Sequence, residues 1–257
     1  MSGMYEESIR EEFTHQTDTF ARAHALKAAE TLGALVELAP PDPEARWLEV
    51  ACGPAMVGRE LAQKVGSVRG VDLTPAMIEK AREEAEREDL GNVEFGLGDA
   101  TALEFEDASF DGAITRWSLH HIPAPQRVVA EMARVVRPGG LVVVADHARD
   151  DDPAVAAWAE EIERLRDPSH WACLTPGRLR QIGAAAGLEL DREEIVPFEL
   201  PFVDWRDRSS GGRDAAALID RLLEEAPQGA EAFRVLGDGD DRRLVLHNML
   251  FRWRRPA

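Results

Sequence analysis

The chain has 257 residues, enough for one large domain or two small ones, and 44% of them are hydrophobic, enough to build a full core. Its formal net charge is -18, and nearly all basic residues are arginines, since lysine occurs only as Lys27, Lys64 and Lys80. A surface this acidic repels phosphate backbones and anionic lipids, which argues against nucleic acid or a membrane as a partner.

The sequence predicts neither a targeting segment nor a metal site. Its first 20 residues are polar and acidic, unlike a signal or transit peptide, and no run reaches the roughly 18 apolar residues of a membrane span. Cys52 and Cys173 are too few for a disulfide framework. We therefore expect a cytoplasmic protein with reduced thiols and, because no histidines have the spacing of metal ligands, no bound metal.

Helices come first in chain order. Hydrophobic periodicity predicts helices over 6–13 and 17–38, and the prolines within 40–43 end the second one. We expect segment 1–43 to form a lid over the site, and a plain surface helix packed on the core is the alternative. The residues expected to face the site are Phe13, His15, Gln16, Phe20 and His24.

Strands alternate with helices from residue 44 to 147. The strands are predicted at Trp47–Ala51, Val68–Asp72, Val93–Leu97, Phe110–Thr115 and Leu141–Ala145. The helices between them are predicted over 56–65, 75–88 and 125–136. Strands in this order, joined by helices, predict a parallel sheet that is covered on both faces.

The alternation loosens after Asp146. Helices are predicted over 153–166, 176–186, 213–226 and 229–236, and strands over 188–196 and 243–253. Segment 148–242 is therefore expected to be an insertion around the sheet, and the last segment, 243–257, to carry the final strand. We expect a single domain over 1–257.

The turn after the first strand is the most informative motif. Small residues occupy alternating positions, Ala51, Gly53 and Ala55, and Asp72 ends the next strand 19 residues after Gly53. A strand, a small-residue turn, a helix and an acid about 20 residues on together form a pocket for a cofactor that contains ribose. NAD is one alternative, because 53–58 partly fit the turn of dinucleotide-binding proteins.

Four motifs in register resemble the class I S-adenosylmethionine-dependent methyltransferases: Leu48–Gly53, Gly70–Asp72, Gly98–Ala100 and Arg137–Gly140. The resemblance implies an α/β fold, a Rossmann-like three-layer sandwich with a seven-stranded, mostly parallel sheet whose last strand is antiparallel. It also implies N-terminal lid helices and a helical insertion.

Further motifs, 116–122, 146–147 and 166–170, are similar to a bacterial small-molecule branch near the ubiquinone-biosynthesis type. Ala55 departs from the family pattern, which has glycine at three alternating positions.

The resemblance implies S-adenosylmethionine as the cofactor and methyl transfer to a small-molecule acceptor by a monomer or homodimer. Asp72 would accept hydrogen bonds from the ribose, Asp99 would bind the adenine amino group, and Glu49 would lie near the amino group of the methionine end. The other implied cofactor-binding residues are Ala51, Gly53, Leu73, Met77, Ala100 and Arg116.

Histidines dominate the candidate catalytic residues, because a neutral histidine can accept a proton near neutral pH. The candidates are His120, His121, His147 and His170. Trp205 and Arg208 are candidates for the acceptor pocket. Two other functions stay open: a reaction in which the bound sulfonium steers a cyclisation or elimination, and a non-catalytic cofactor-binding protein.

Overall fold

The computed structural model describes the backbone of residues 2–23 and 28–257 and the side chains of 6–17 and 32–257. Within these residues one mixed sheet forms the centre of the molecule. Its strands are β1 (Asp42–Val50), β2 (Val65–Asp72), β3 (Val93–Leu97), β4 (Phe110–Arg116), β5 (Val136–His147), β6 (Glu189–Pro201), β7 (Phe233–Leu236) and β8 (Arg243–Arg254).

The strand order is β3-β2-β1-β4-β5-β8-β6, with β7 paired to β8. Strands β1 to β5 are parallel, and β8 runs antiparallel to β5, β6 and β7. The predicted α/β fold with a mostly parallel sheet and an antiparallel last strand is confirmed. The path holds the predicted seven strands, and the short β7 is an addition beside it.

Helices cover both faces of this sheet. They are α1 (Ser2–Ala23), α2 (Ala28–Val36), α3 (Met56–Leu61), α4 (Pro75–Arg87), α5 (Pro125–Val135), α6 (Pro153–Arg166), α7 (Pro176–Ala185), α8 (Phe202–Arg208) and α9 (Ala216–Glu224). Proline is the first residue of α4, α5, α6 and α7, where its missing N–H leaves no hydrogen bond unmade and its fixed φ suits a helix start. Among the described residues, no helix is long and apolar enough to cross a membrane.

Several predicted elements differ from the structure in type or bounds, and the helix predicted over 56–65 ends at Leu61. The helix predicted over 229–236 is wrong, because Phe233–Leu236 pairs with β8 as a strand. Helix α1 continues through the predicted break at 14–16, and β6 extends past the predicted end to Pro201 because β8 pairs with it along its whole length. The predicted helix 17–38 includes residues 24–27, which lie outside the described residues.

The two faces of β5 show how the layers form. Val142 and Val144 pack in the apolar cluster that contains α5 and α7, whereas Val143 and Ala145 pack in the cluster that contains α2 and α3. Side chains alternate between the faces of a strand, so a continuous apolar run gives a strand that is buried on both sides. A third cluster joins α6, α8 and α9 to β6, β7 and β8.

The parallel strands place one edge of the sheet at the candidate site. The carboxyl ends of β1, β2, β4 and β5 meet there, and the turn that follows each strand carries polar or small residues. In open α/β sheets this edge is where ligands bind.

Gly112→Ala tests the packing of the sheet. A Cβ at Gly112 in β4 would lie 2.5 Å from the indole of Trp47, a buried residue on neighbouring β1. A rigid buried ring cannot give way, so we expect Gly112→Ala to lower the free energy of unfolding by about 1–3 kcal/mol in urea denaturation. Gly91→Ala is the control, because a Cβ at Gly91 would meet no atom within 4 Å. Equal stability of the two variants would contradict this packing.

Candidate active site

A cavity of about 760 Å³ opens at the carboxyl edge of the sheet, within the range of small-molecule sites. Eight of the nine residues predicted to bind the cofactor line it: Ala51, Gly53, Asp72, Leu73, Met77, Asp99, Ala100 and Arg116. The ninth, Glu49, is not among the described residues that line the cavity. The fold therefore brings the ends of β1, β2, β3 and β4 to one space.

The turn between β1 and α3 has an unusual backbone. Ala51, Gly53 and Ala55 have φ values of 50°, 52° and 55°, in the left-handed region. An alanine in this region costs about 1–2 kcal/mol relative to a right-handed conformation. Ala55 is nevertheless fully buried, and its methyl group packs in the cluster beneath α4. The departure from glycine at position 55 therefore brings both strain and buried apolar contact.

Asp72 holds this turn in place. Its Oδ2 accepts a hydrogen bond from the Gly53 N–H at 2.8 Å, and its Oδ1 accepts one from the Thr74 N–H at 2.9 Å. Burial raises the pKa of Asp72, although these N–H groups act in the opposite direction. The same carboxylate thus links the turn to the start of α4 and faces the cavity.

Asp99 is exposed in the loop that follows β3. Its Oδ1 accepts from the N–H and from the hydroxyl of Thr101, at 2.7 and 2.8 Å. This side chain therefore shapes the turn after β3, and it lines the cavity.

Glu49 is buried beneath the cavity. Its Oε2 accepts the Gly58 N–H at 2.8 Å, so it caps the first turn of α3. Burial raises the pKa of Glu49 to about 8, despite the opposing effects of Gly58, Arg59 and Arg116. Burial also lowers the pKa of Arg116 to about 10, and its guanidinium lies 3.6 Å from the ring centroid of Trp117.

The four candidate histidines form one buried cluster. The ring centroid of His120 lies 4.2 Å from that of His121, 4.8 Å from that of His147 and 5.6 Å from that of His170. Of these four, His121 is the one that lines the cavity in the described part of the chain. The fold thus brings the four together, and of the four it places His121 at the wall of this cavity.

Asp146 organises the side of the cluster next to the sheet. Its carboxylate accepts from the backbone N–H groups of Leu119, His120 and His147, and its Oδ1 lies 2.5 Å from Nδ1 of His120. Burial alone would raise the pKa of Asp146, but His120 holds it down at about 2. Burial alone would lower the pKa of His120, but Asp146 raises it.

A second chain of hydrogen bonds orients His121. The Ser169 hydroxyl donates to Oδ1 of Asp167 at 2.6 Å and lies 3.0 Å from Nδ1 of His121. Because that hydroxyl donates its one proton to the carboxylate, it can only accept a hydrogen bond from His121. Nδ1 of His121 is therefore the donor, which leaves Nε2 as the basic nitrogen of the ring. Burial, and next the neighbouring His120, lower the pKa of His121 to about 3, so the ring is neutral.

The Asp167–Ser169 pair belongs to the site but was not predicted from the sequence. The Ser169 N–H also bonds Oδ1 of Asp167 at 2.9 Å, so residues 167–169 form the local turn that Asp-Pro-Ser predicts. No local signal indicates that this turn packs against His121, 48 residues earlier in the chain.

Helix α1 contributes part of the cavity wall, and its role as a lid stays a prediction. Phe13 lines the cavity and places its ring edge-on to His121 at 4.8 Å, and the buried Gln16 amide donates to Oδ2 of Asp167 at 3.1 Å. His15 is exposed, whereas the Phe20 side chain and His24 lie outside the described residues.

Trp205 and Arg208 are buried beside α6. Neither is among the described residues that line the cavity, although both are predicted for the acceptor pocket. The guanidinium carbon of Arg166 lies 4.4 Å from the ring centroid of Trp205, and Trp205 belongs to the third apolar cluster.

Comparisons with known proteins agree with this geometry. A family model described as a methyltransferase domain matches residues 48–144. The chain is 31% identical over 220 residues to an uncharacterized methyltransferase, YcgJ of Bacillus subtilis (strain 168), with 85% of this chain and 86% of that protein covered. It is 37% identical over 201 residues to the O-methyltransferase cnsE of Penicillium expansum, covering 74% and 70%.

The chain belongs to the class I S-adenosylmethionine-dependent methyltransferases. The crystal structure of YcgJ matches this methyltransferase with a TM-score of 0.81 and 26% identity, covering 89% of this chain and 99% of that one. A putative methyltransferase from Bacillus halodurans C-125 matches with a TM-score of 0.83 and 25% identity, covering 89% and 100%. The predicted family and enzyme class are confirmed.

The Asp146–His120 pair gives this methyltransferase a testable pH dependence. The pKa of folded Asp146 lies below its ordinary 3.8, so its contribution to stability is present above that value and is lost as the pH falls toward about 2. The pKa of folded His120 is raised, so its contribution is complete below its ordinary 6.5 and is lost as the pH rises through the raised value.

Asp146→Asn should therefore lower the free energy of unfolding most near about pH 5, by about 3–5 kcal/mol, and less on either side. Urea denaturation of both proteins across this range measures the difference. Asp151→Asn, at an exposed carboxylate, should change stability by less than about 0.5 kcal/mol. A pH-independent effect of Asp146→Asn would contradict the charge pairing.

Proposed function

We propose that this methyltransferase binds S-adenosylmethionine between Asp72 and Asp99 and methylates a hydroxyl group of a small, largely apolar acceptor beside His121. The observation that carries the proposal is that one cavity is lined both by Asp72, next to a small-residue turn, and by an oriented, neutral His121.

The cofactor end of the cavity fits the chemistry of the donor. S-adenosylmethionine supplies a methyl group on a sulfonium, which is already a good leaving group. The Asp72 carboxylate suits two ribose hydroxyls because each of its oxygens can accept more than one hydrogen bond. The left-handed backbone at Ala51 and Gly53 leaves little side chain between the ligand and the main chain. Met77 and Leu73 present apolar surface beside Asp72.

The rest of the cavity is mostly apolar. Its larger apolar lining residues there are Ile9, Phe13, Trp117, Ile122, Pro123 and Trp171, beside the polar Glu6, Ser8 and Ser118. Aromatic side chains bury large apolar areas and favour flat, apolar ligands. The lining cations there are Arg116, whose guanidinium packs on Trp117, and Arg127, so a polyanionic acceptor fits poorly.

His121 is proposed as the base for the acceptor. A hydroxyl group must lose its proton as it attacks a methyl group, and a nearby base removes the need to release that proton into the closed cavity. The Asp167–Ser169 chain fixes Nδ1 as the donor, so Nε2 takes the proton. Burial and His120 keep the resting ring neutral, and the Asp167 carboxylate, which acts to raise the pKa of His121, stabilises the cation that forms during the reaction. The name of the relative cnsE, an O-methyltransferase, supports an oxygen acceptor.

Asp72→Asn tests the cofactor site. The amide keeps one accepting oxygen for the turn but loses the negative charge, so S-adenosylhomocysteine should bind about tenfold to a hundredfold more weakly in calorimetry. Asp151→Asn, at an exposed residue outside the described cavity lining, should bind as the wild type does. Binding of NAD without binding of S-adenosylhomocysteine would overturn the proposal.

His121→Asn tests the base. Asparagine can still donate to Ser169 but cannot take the proton, so kcat with a hydroxyl acceptor should fall by about 10²–10⁴-fold, with S-adenosylhomocysteine affinity unchanged. His15→Asn, at an exposed histidine on α1, is the matched control.

The acceptor comes from a screen of small apolar phenols, alcohols, amines, thiols and carbon acids, read out as S-adenosylhomocysteine formed. If product forms without S-adenosylhomocysteine, the reaction is not methyl transfer. Full activity of His121→Asn on a hydroxyl acceptor would exclude the role given to His121.

A further inference from the structure

Three potential metal ligands converge behind the histidine cluster. Glu160 lies on α6, and His170 and Cys173 lie in the segment that follows it. One ligand atom of each lies within 4.8 Å of the other two. Oε2 of Glu160 is 2.9 Å from Nε2 of His170, and Oε1 accepts the Cys173 N–H at 2.7 Å. A carboxylate, an imidazole and a thiol therefore face one point.

His147 gives a second, independent indication of a ligand. Its exposed fraction is 9%, and in the described part of the chain neither of its ring nitrogens has a hydrogen-bond partner. A buried polar group without a partner is costly and rare, so an unseen partner is the simplest explanation. His147, Glu160 and Cys173 together line a void of about 20 Å³, enough for one water molecule.

We propose that Glu160, His170 and Cys173 bind a Zn²⁺ ion, with a water molecule in the fourth position. The water occupies the void and donates a hydrogen bond to His147. Oxygen, nitrogen and thiolate sulfur are the ligand types that zinc accepts in tetrahedral sites, and three protein ligands with one water is a common zinc arrangement.

Charge and protons balance at this site. The Cys173 thiol loses its proton on binding, and the ion takes the place of the proton shared by Nε2 of His170 and Oε2 of Glu160. The released protons go to solvent, and the two negative ligands neutralise the dication. The Arg164 guanidinium, which donates to Oε2 of Glu160 at 3.1 Å from a half-exposed side chain, gives up that contact to the ion and turns to solvent. The sequence predicts no metal site, and the proposal differs from that prediction because these residues become neighbours only in the fold.

The ion would fix the loop that meets the cavity. The Trp171 and Ala172 N–H groups donate to the His120 carbonyl at 2.8 and 3.1 Å, and Trp171 lines the cavity. Zinc bound on both sides of this short stretch, at His170 and Cys173, would hold Trp171 against the acceptor side. The proposal concerns metal binding alone and does not depend on the reaction.

Cobalt substitution tests the site in the full-length protein. After treatment with a chelator, we expect titration with Co²⁺ to give thiolate-to-cobalt charge-transfer absorption and the intense visible bands of a tetrahedral site, saturating near one equivalent. Zn²⁺ should displace the cobalt and bleach both. Cys173→Ser should abolish the charge-transfer band, whereas Cys52→Ser, at the only other cysteine, should leave it unchanged.

Two further variants keep the test independent of folding. Glu160→Gln keeps the shape and one accepting oxygen but should lose tight binding, and circular dichroism checks that it is folded. His147→Phe removes the partner of the bound water and should weaken binding by about tenfold to a hundredfold. No charge-transfer band in the wild type, or a band that persists in Cys173→Ser, would overturn the proposal.

Discussion

The Asp146 carboxylate at the end of β5 accepts four hydrogen bonds, three from backbone N–H groups and one from the His120 ring. It thereby ties the turn after β4 to the end of β5. The carbonyl of His120 in turn accepts from Trp171 and Ala172, which docks the insertion on the same turn. Removing this carboxylate would leave several buried donors without partners, so the acceptor side of the cavity depends on it.

The cofactor side depends on strain that Asp72 helps to hold. Left-handed backbone occurs at Ala51, Gly53 and Ala55 and, after β4, at Trp117, and three of these four residues carry a Cβ. Such conformations persist only where the surrounding structure enforces them, and they concentrate at functional sites. The hydrogen bonds from Asp72 to the turn and to the start of α4 supply that enforcement. The strained turn thus lowers stability at this edge of the sheet, but it gives a main chain that a ligand can approach closely.

The parts of the fold that sequence could predict are those with local signals. Strands β1 to β5 follow from apolar runs, and α4 to α7 from a proline at each start, because both signals act within a few residues. The helix predicted over 229–236 is wrong because β7 forms by pairing with β8, and no pattern within β7 itself indicates that pairing. The four histidines could be named, but which one lines the cavity depends on how Ser169 and Asp167 dock, and no local pattern encodes that contact.

The central claim is that one cavity holds the cofactor against Asp72 and presents an oriented His121 to the acceptor. A crystal structure with S-adenosylhomocysteine tests it most directly. We expect ribose oxygens within hydrogen-bond distance of the Asp72 carboxylate and the sulfur within roughly 5 Å of a space that His121 and Trp171 border, the distance needed for near-attack placement. Ligand density away from Asp72, or a sulfur separated from His121 by ordered protein, would contradict it.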